Sequence, residues 1–258
     1  MYTHYYLLDL QFLGFRFHGW QPQPKLKTVQ LMLEKTICFV LKHDEFKVLG
    51  SGRTDAMVSA NHFAVELFLK EELDKTWFIE LINKNLPTDL KLLGLKEVDK
   101  TFNVIQNAKV KEYIYLFSHN EKAHPFSAPF ITSFVEELDI DLMKEGAKLF
   151  QGEHFFHKYC TKPSPQTVFK REILLSTIEG NTIYEANFFP KESFVFRIKS
   201  KGFLRYQVRL IMGTLIELGR GNVTLEEIEE SLKETNDRKS LRYIAPNSGL
   251  SLHKIEFI

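Results

Sequence analysis

The stretch Gly50–Leu69, "GSGRTDAMVSANHFAVELFL", joins a glycine-rich loop to an apolar segment. Apolar residues in that segment alternate with their neighbours, which is typical of a half-buried strand. The alternating residues are Phe63, Val65, Leu67 and Leu69. A further apolar segment, "FKVLG" at 46–50, predicts a short strand that runs directly into the loop. The sequence therefore predicts two strands with an Arg-Thr-Asp triplet presented between them.

The segments around this loop predict a series of strands with helices between some of them. Up to about residue 100 the order is strand, helix, strand, strand, helix, strand, with helices at 28–42 and 74–86. The second half repeats the theme, with strands at 108–117, 167–178, 182–189 and 194–200. Its helices are expected at 139–150, from Phe203 to Leu218 with Gly219 as the C′ residue, and from Thr224, which has capping-box spacing to Glu227.

Short connections between adjacent strands favour antiparallel pairing. The sequence thus predicts the α+β class, an antiparallel or mixed sheet with flanking helices. The repeated order of elements predicts two similar halves, 1–103 and 104–258.

Composition excludes several classes of protein. The 258 residues carry a formal net charge of +1, so no global field attracts nucleic acid or an anionic membrane. Cys38 and Cys160 are too few for a disulfide scaffold and favour a reducing, cytoplasmic setting. The start "MYTHYYLLDLQF" lacks the pattern of a signal peptide, and two arginines interrupt the most apolar helix, which argues against a membrane span.

The loop itself fits no common phosphate or calcium motif. A Walker A loop needs a Lys-Ser/Thr pair after its last glycine, and a calcium loop needs alternating acidic ligands. Two interpretations of Arg53, Thr54 and Asp55 stay open at this point. Either Asp55 only bonds the backbone of a turn, or the triplet carries chemistry.

Metal binding is not predicted. His154 and His157 are three residues apart, but no third ligand stands at metal spacing nearby.

The segment from Lys191 to Arg220 is locally basic, with seven basic residues against two acidic ones. The basic residues are Lys191, Arg197, Lys199, Lys201, Arg205, Arg209 and Arg220. Arg205 and Arg209 stand at i and i+4, where like charges destabilise a helix by about 0.2–0.5 kcal/mol. A solvated face is one explanation of this pair, and a partner carboxylate or phosphate explains it better.

Five segments, in order and over nearly the whole chain, resemble the tRNA pseudouridine synthase A family. "GRTDAMVSA" resembles the family signature GRTDxGVHA, and "FLRYQVRLIMGTLIELGRG" is similar to its FLxxMVRxxVGxLxxVGRG segment. "FLGFRFHGWQPQPKLKTVQ" resembles the family's opening, with aromatic-His-Gly-Trp-Gln and then Thr-Val-Gln. "KEYIYLF" resembles its tyrosine-containing strand and "APNSGLSLHKIEF" its closing strand.

The resemblance implies residue roles and a reaction. It implies that Asp55 is the essential carboxylate, that Arg209 pairs with it and that Tyr113 is an active-site tyrosine. Arg53 is implied to fill the space that a flipped uridine leaves, and Thr54, Arg205 and Gln21 are further expected substrate contacts. The implied reaction is the isomerisation of uridine to pseudouridine in the anticodon stem-loop of tRNA, around its positions 38–40. The implied fold has a central cleft between its two halves, and the implied assembly is a homodimer that needs no cofactor or metal.

Four positions depart from the family pattern. Met57 replaces a glycine, which predicts a backbone shape that methionine reaches at a cost. Ser59 replaces a histidine, Gln207 replaces a methionine, and Arg205 adds a positive charge. Two alternatives therefore stay open beside tRNA modification: a related synthase acting on another RNA, and an RNA-binding relative without turnover.

Overall fold

The computed structural model describes residues 2–237, 239–241 and 243–257. The chain forms two compact units. The first runs to Lys109 and includes the chain again from Ser251, and the second is Val110–Leu250. The division into halves 1–103 and 104–258 stays a prediction.

The described residues form strands interspersed with α-helices. The strands are β1 His4–Phe12, β2 Lys47–Gly50, β3 Ser59–Leu69, β4 Leu90–Glu97, β5 Ala108–Ser118, β6 Thr132–Ser133, β7 Gly152–Phe155, β8 Lys170–Gly180, β9 Phe194–Ser200 and β10 Leu250–Phe257. The helices are α1 Val29–Leu41, α2 Lys75–Asn85, α3 Ile140–Leu149, α4 Gln207–Gly219 and α5 Leu225–Ser231.

In the first unit, β3 lies at the centre of the sheet. It pairs antiparallel with β1 and β2 and parallel with β10, and β1 pairs antiparallel with β4. The prediction of a half-buried β3 is wrong in one respect, because the residues between the alternating ones, Ala64 and Glu66, are buried as well. The second face of this central strand is covered at Ala64 and Glu66 but partly exposed at His62 and Phe68, so the alternation reports burial only in part.

In the second unit, β5 pairs antiparallel with β9, β9 with β8 and β8 with β7. The two-residue strand β6 pairs parallel with β5. The predicted α+β class, with a mixed sheet and flanking helices, is confirmed.

Helix starts follow the predicted caps. Thr28 Oγ1 accepts a hydrogen bond from the backbone N–H of Leu31 at the start of α1. Thr224 and Glu227 form the full capping box that their spacing predicts. No helix among the described ranges has the length and apolar content needed to cross a membrane.

The strand predicted at 182–189 is wrong. The Asn181 side chain accepts hydrogen bonds from the backbone N–H groups of Ile183 and Tyr184, which folds the chain into turns. Ile183, Tyr184 and Phe189 then pack on a buried cluster that includes Ile114 and Val195. Their apolar pattern therefore reflects packing of a loop and not a strand.

The bounds predicted for α4 are also wrong. The helix begins at Gln207 rather than Phe203, because Tyr206 adopts a left-handed backbone with φ 64°. Gly219 is the last helical residue, and a side chain there would clash with Met143. The glycine with a positive φ beyond the helix is Gly221.

Candidate active site

The Asp55 loop of the first unit is fastened by backbone hydrogen bonds to the segment that precedes α1. Trp20 N–H donates to the carbonyl of Thr54 at 3.2 Å, and Met57 N–H donates to that of Phe17 at 2.9 Å. Within the loop, Val58 N–H donates to the carbonyl of Asp55 at 3.3 Å. These bonds give the aspartate a defined backbone position on both sides.

Close backbone approach explains two glycines in that segment. A Cβ on Gly14 would lie 2.0 Å from the Val58 carbonyl oxygen. Gly19 has a positive φ of 85°, and a Cβ there would lie 2.4 Å from the Thr54 carbonyl oxygen. Only glycine allows the two segments to approach this closely, so the His-Gly-Trp-Gln pattern serves to seat the loop.

The two departures within the loop have distinct structural outcomes. Met57 adopts a left-handed backbone with φ 65°, as its replacement of a glycine predicts. Ser59 takes a structural role, because its Oγ accepts a hydrogen bond from Gly14 N–H at 2.9 Å. The serine thus ties the loop to the same segment as its neighbours.

The predicted site residues of the first unit differ in exposure. Asp55 is half-buried, whereas Arg53 and Gln21 are exposed. Thr54 is buried, and its Oγ1 has no hydrogen-bond partner among the described residues. The buried Thr54 therefore stands between two residues with charged side chains, the exposed Arg53 and the half-buried Asp55.

Tyr113 lies in the second unit on β5, opposite Ile198 of β9. Its ring is half-buried and meets the ring of Phe203 edge-on, with centroids 5.2 Å apart and planes at 89°. This T-shaped contact fixes the orientation of the tyrosine ring. Phe203 was not singled out as a site residue, although it belongs to the segment that resembles the family.

Arg205 and Arg209 share one aromatic neighbour. The guanidinium carbon of Arg205 lies 5.5 Å from the centroid of the Tyr206 ring, and that of Arg209 lies 4.9 Å from it. Cation–π attraction of this kind offsets part of the repulsion between the two charges. Tyr206 was also missed by sequence reasoning, and its position between the two arginines is the signal that could have found it.

The start of α4 is held against the segment before β10. Arg209 Nε donates to the Ala245 carbonyl at 2.8 Å, and Ala245 N–H donates back to the Arg209 carbonyl at 3.1 Å. One turn later, a Cβ on Gly213 would lie 2.4 Å from the Tyr243 carbonyl oxygen. The backbone contact at Gly213 and the two hydrogen bonds between Arg209 and Ala245 therefore both fix the position of Arg209.

A family of known proteins matches this sequence over most of its length. The sequence matches the family model described as tRNA pseudouridine synthase over residues 10–105 and 147–257. These ranges contain the Asp55 loop and α4. The chain belongs to the tRNA pseudouridine synthase family.

Individual relatives are similar over almost their full length. The chain is 35% identical over 257 residues to the tRNA pseudouridine synthase A of Dictyoglomus thermophilum, covering 97% of this chain and 98% of that protein. It is 32% identical over 258 residues to that of Thermodesulfovibrio yellowstonii, covering 96% and 97% of the two chains. The enzyme of Aquifex aeolicus is 32% identical over 252 residues, with 97% and 98% covered. As a family member the protein is an isomerase that acts on tRNA, as the motifs predict.

Several basic residues of the segment Lys191–Arg220 form ion pairs within the protein. Glu112 on β5 is buried and forms ion pairs with Arg197 and Lys199. Burial acts to raise the pKa of Glu112, but hydrogen bonds from Arg197 and Lys199 outweigh it and hold the pKa below its ordinary value. Arg220 is likewise paired, with Glu136 and Glu217. Three of the seven basic residues therefore serve the fold.

Gln207, which stands where the family pattern has a methionine, is buried in the core. Its side chain is fully buried, and Oε1 accepts a hydrogen bond from Leu204 N–H at 2.7 Å. Nε2 has no partner among the described residues. The glutamine thus stabilises the lead-in to α4 through one of its two polar atoms.

The structure places the predicted residues in two sets. The first unit carries Gln21, Arg53, Thr54 and Asp55, and the second carries Tyr113, Arg205 and Arg209. The pairing of Arg209 with Asp55 and the central cleft stay predictions. Among the described ranges, no group of three or more His, Cys, Asp or Glu side chains is arranged to hold a metal.

Proposed function

We propose that this enzyme isomerises uridine to pseudouridine in the anticodon stem-loop of tRNA, with Asp55 as the essential carboxylate. The observation that carries the proposal is the fastening of the Asp55 loop by backbone hydrogen bonds on both sides of the aspartate. A half-buried carboxylate on a seated loop suits a reaction in which one group must meet one atom of a flipped base. Membership of the family supports the same reaction.

The chemistry needs one bond broken and one bond formed. The bond from uracil N1 to C1′ of the ribose breaks, the base turns, and C5 bonds to C1′. The C5 proton then leaves and N1 gains a proton, so nothing is oxidised. An ionised Asp55 serves either by adding covalently to the substrate or by removing a ribose proton.

The other predicted residues have supporting roles. A base that leaves its stack loses a few kcal/mol, and stacking on an aromatic ring restores about 1–3 kcal/mol per base. Tyr113, held edge-on by Phe203, supplies such a ring. Arg209 keeps the aspartate ionised by its positive charge, and Arg53 occupies the place that the flipped uridine leaves.

The first test measures tritium release from tRNA transcripts that carry tritium at C5 of uridine. The parent is expected to release tritium because the reaction expels the C5 hydrogen, and Asp55→Asn is expected to release none. Asp44→Asn, which alters an exposed aspartate of the same unit, is the matched control and should release tritium like the parent.

Other outcomes favour the alternatives. Release from another RNA but from no tRNA would assign the enzyme to a different substrate. Tight tRNA binding without release from any RNA would indicate a binding protein without turnover. Release by Asp55→Asn at the parental rate would exclude Asp55 as the essential carboxylate.

We further propose that the enzyme works in the cytoplasm as a homodimer. Two free cysteines agree with a reducing compartment. The homodimer is expected from the family resemblance alone. Sedimentation at micromolar concentration should give twice the mass of the 30.2 kDa chain, and a monomer there would contradict the proposal.

A further inference from the structure

A cavity of about 400 Å³ opens in the second unit beside the lead-in to α4. Its walls come from the loop between β7 and β8, from the start of β8 and from the residues that precede Tyr206. They include Lys162, Arg171 and Arg205, and no aspartate or glutamate stands among the described residues that line the cavity. Cavities of this size hold small ligands or a single nucleotide.

The three basic side chains are available to a ligand. None of the ion pairs between described residues involves Lys162, Arg171 or Arg205. In this they differ from Arg197, Lys199 and Arg220, whose charges are neutralised within the unit. Three uncompensated cations around one cavity repel one another unless an anion lies between them.

The walls of the cavity are held together. Thr161 N–H donates to the Arg205 carbonyl at 3.2 Å, which joins the loop to the lead-in of α4. Burial raises the pKa of the Cys160 thiol, whereas the backbone N–H of Arg205 and the charges of Arg171 and Arg205 act to lower it. Both guanidinium groups therefore lie within electrostatic reach of one side chain in the wall.

Two local features agree with an anion site. Lys162 has a left-handed backbone with φ 46°, and such strain in a residue other than glycine concentrates at functional sites. The first turn of α4, which begins two residues after Arg205, contains no acidic residue and no side-chain cap. The positive end of its dipole therefore adds to the field of the three cations.

The cavity also adjoins the predicted active-site tyrosine. Phe203 lines the cavity and at the same time meets the Tyr113 ring edge-on at 5.2 Å. An anion seated there lies one side chain away from the ring on which the target base is proposed to stack.

We propose that this cavity, lined by Lys162, Arg171 and Arg205, binds a backbone phosphate of the RNA. The inference rests on the proposed function, and it assigns the cavity to holding the strand while Tyr113 and Asp55 act on the base. A phosphodiester presents charged oxygens to all three cations, and two guanidinium groups suit its geometry.

The test compares two pairs of neutralised residues. The cavity pair is Lys162→Gln with Arg171→Gln, which leaves Arg205 in place. The control pair is Lys35→Gln with Lys148→Gln, two exposed lysines on α1 and α3, so the change in net charge is the same. Binding of the tritiated tRNA transcript is titrated over a series of salt concentrations, and urea unfolding checks that each variant folds.

The cavity pair is expected to weaken RNA binding about tenfold and to make the slope of log affinity against log salt shallower by about one unit. KM for the RNA should rise in step while kcat at saturating RNA stays near the parental value. The control pair should leave the slope unchanged. An equal loss in both pairs, or no loss in the cavity pair, would overturn the proposal.

Calorimetric titration with inorganic phosphate distinguishes two possible ligands of the cavity, a phosphate of RNA and a free anion. Millimolar binding by the parent, lost in the cavity pair, is expected for a site that takes one phosphate of a longer strand. Micromolar binding with unchanged RNA affinity would assign the cavity to a free anion and overturn the proposal. If the parent releases no tritium from any RNA, the proposed enzymatic function has failed, and the binding titration still tests the cavity.

Discussion

Met57 stands where the family pattern has a glycine, and its backbone has the left-handed conformation that favours glycine. Its φ of 65° lies in the left-handed region, where a side chain costs about 1–2 kcal/mol. The backbone N–H of Met57 donates to Phe17, so the strained residue is also one of the fastenings of the Asp55 loop. The hydrogen bond holds the residue in a conformation that a free chain would avoid.

Two substitutions at Met57 separate backbone strain from side-chain packing. Met57→Gly and Met57→Ala both remove the side chain, but only glycine adopts a positive φ without strain. Met57→Gly is therefore expected to unfold with a free energy about 1 kcal/mol higher than Met57→Ala, which reverses the order found at most positions. Urea unfolding at pH 7 measures the difference, and a more stable alanine variant would contradict it.

Helix α4 is the element that connects the fold to the candidate site in the second unit. Its apolar residues are buried along its full length, while Arg209 in its first turn is bonded in both directions to Ala245. Gly213 lets the helix touch the backbone at Tyr243. The packing of the whole helix therefore determines the position of the Arg209 backbone, from which the charged side chain extends.

Gly213→Ala tests this dependence. The added methyl would lie 2.4 Å from a backbone carbonyl oxygen, which has no flexible end to move aside. We expect a loss of about 1–3 kcal/mol in the free energy of unfolding, typical of an overpacked core, together with a lower kcat because Arg209 shifts with the helix. Gly180→Ala is the control, because no atom of the described residues beyond its chain neighbours lies within 4 Å of the new methyl, and it should change neither urea unfolding nor tritium release.

Over the whole molecule the net charge is close to zero, but some basic side chains form ion pairs within the fold while others line a cavity. The net charge is +1, yet Lys162, Arg171 and Arg205 surround one cavity without a carboxylate. Elsewhere the buried Glu112 pairs with Arg197 and Lys199, and Glu179 supplies a second carboxylate to Arg197. The local balance of charge, and not the total, decides where an RNA phosphate is attracted.

Lys199 and Lys201 are expected to differ because only Lys199 is paired with Glu112. Lys199→Gln should lower the free energy of unfolding by about 1 kcal/mol at pH 7, and Lys201→Gln, at an exposed position, should change it little. Glu112 has a lowered pKa in the folded state, so the stability it contributes is present above the ordinary pKa of a glutamate. That stability is lost as pH falls through the lowered pKa.

The difference between the parent and Lys199→Gln should therefore shrink as pH falls below the ordinary pKa of a glutamate. Urea unfolding from pH 7 down to about pH 3 measures it. A difference that persists unchanged at the acid end would show that Lys199 stabilises the unit by packing and not by its charge.

Much of the fold and of the candidate site follows from the sequence. Helix caps at Thr28 and Thr224 and the strands on each side of the Asp55 loop depend on residues close together in the chain, so their patterns are legible there. The predicted backbone shape at Met57 is also confirmed, because a replaced glycine marks a backbone requirement. Sequence patterns alone therefore predict the class of fold, the family and the residues to test.

Features that depend on partners distant in the chain follow only from the folded structure. The segment 182–189 has the apolar pattern of a strand, but an asparagine turn and a buried cluster make it a loop. In the basic segment, Lys199 is paired with Glu112 inside the unit, whereas Arg205 lines a cavity together with Lys162 and Arg171 from elsewhere in the chain. Propensity acts between neighbours in sequence, whereas packing and ion pairing act between neighbours in space.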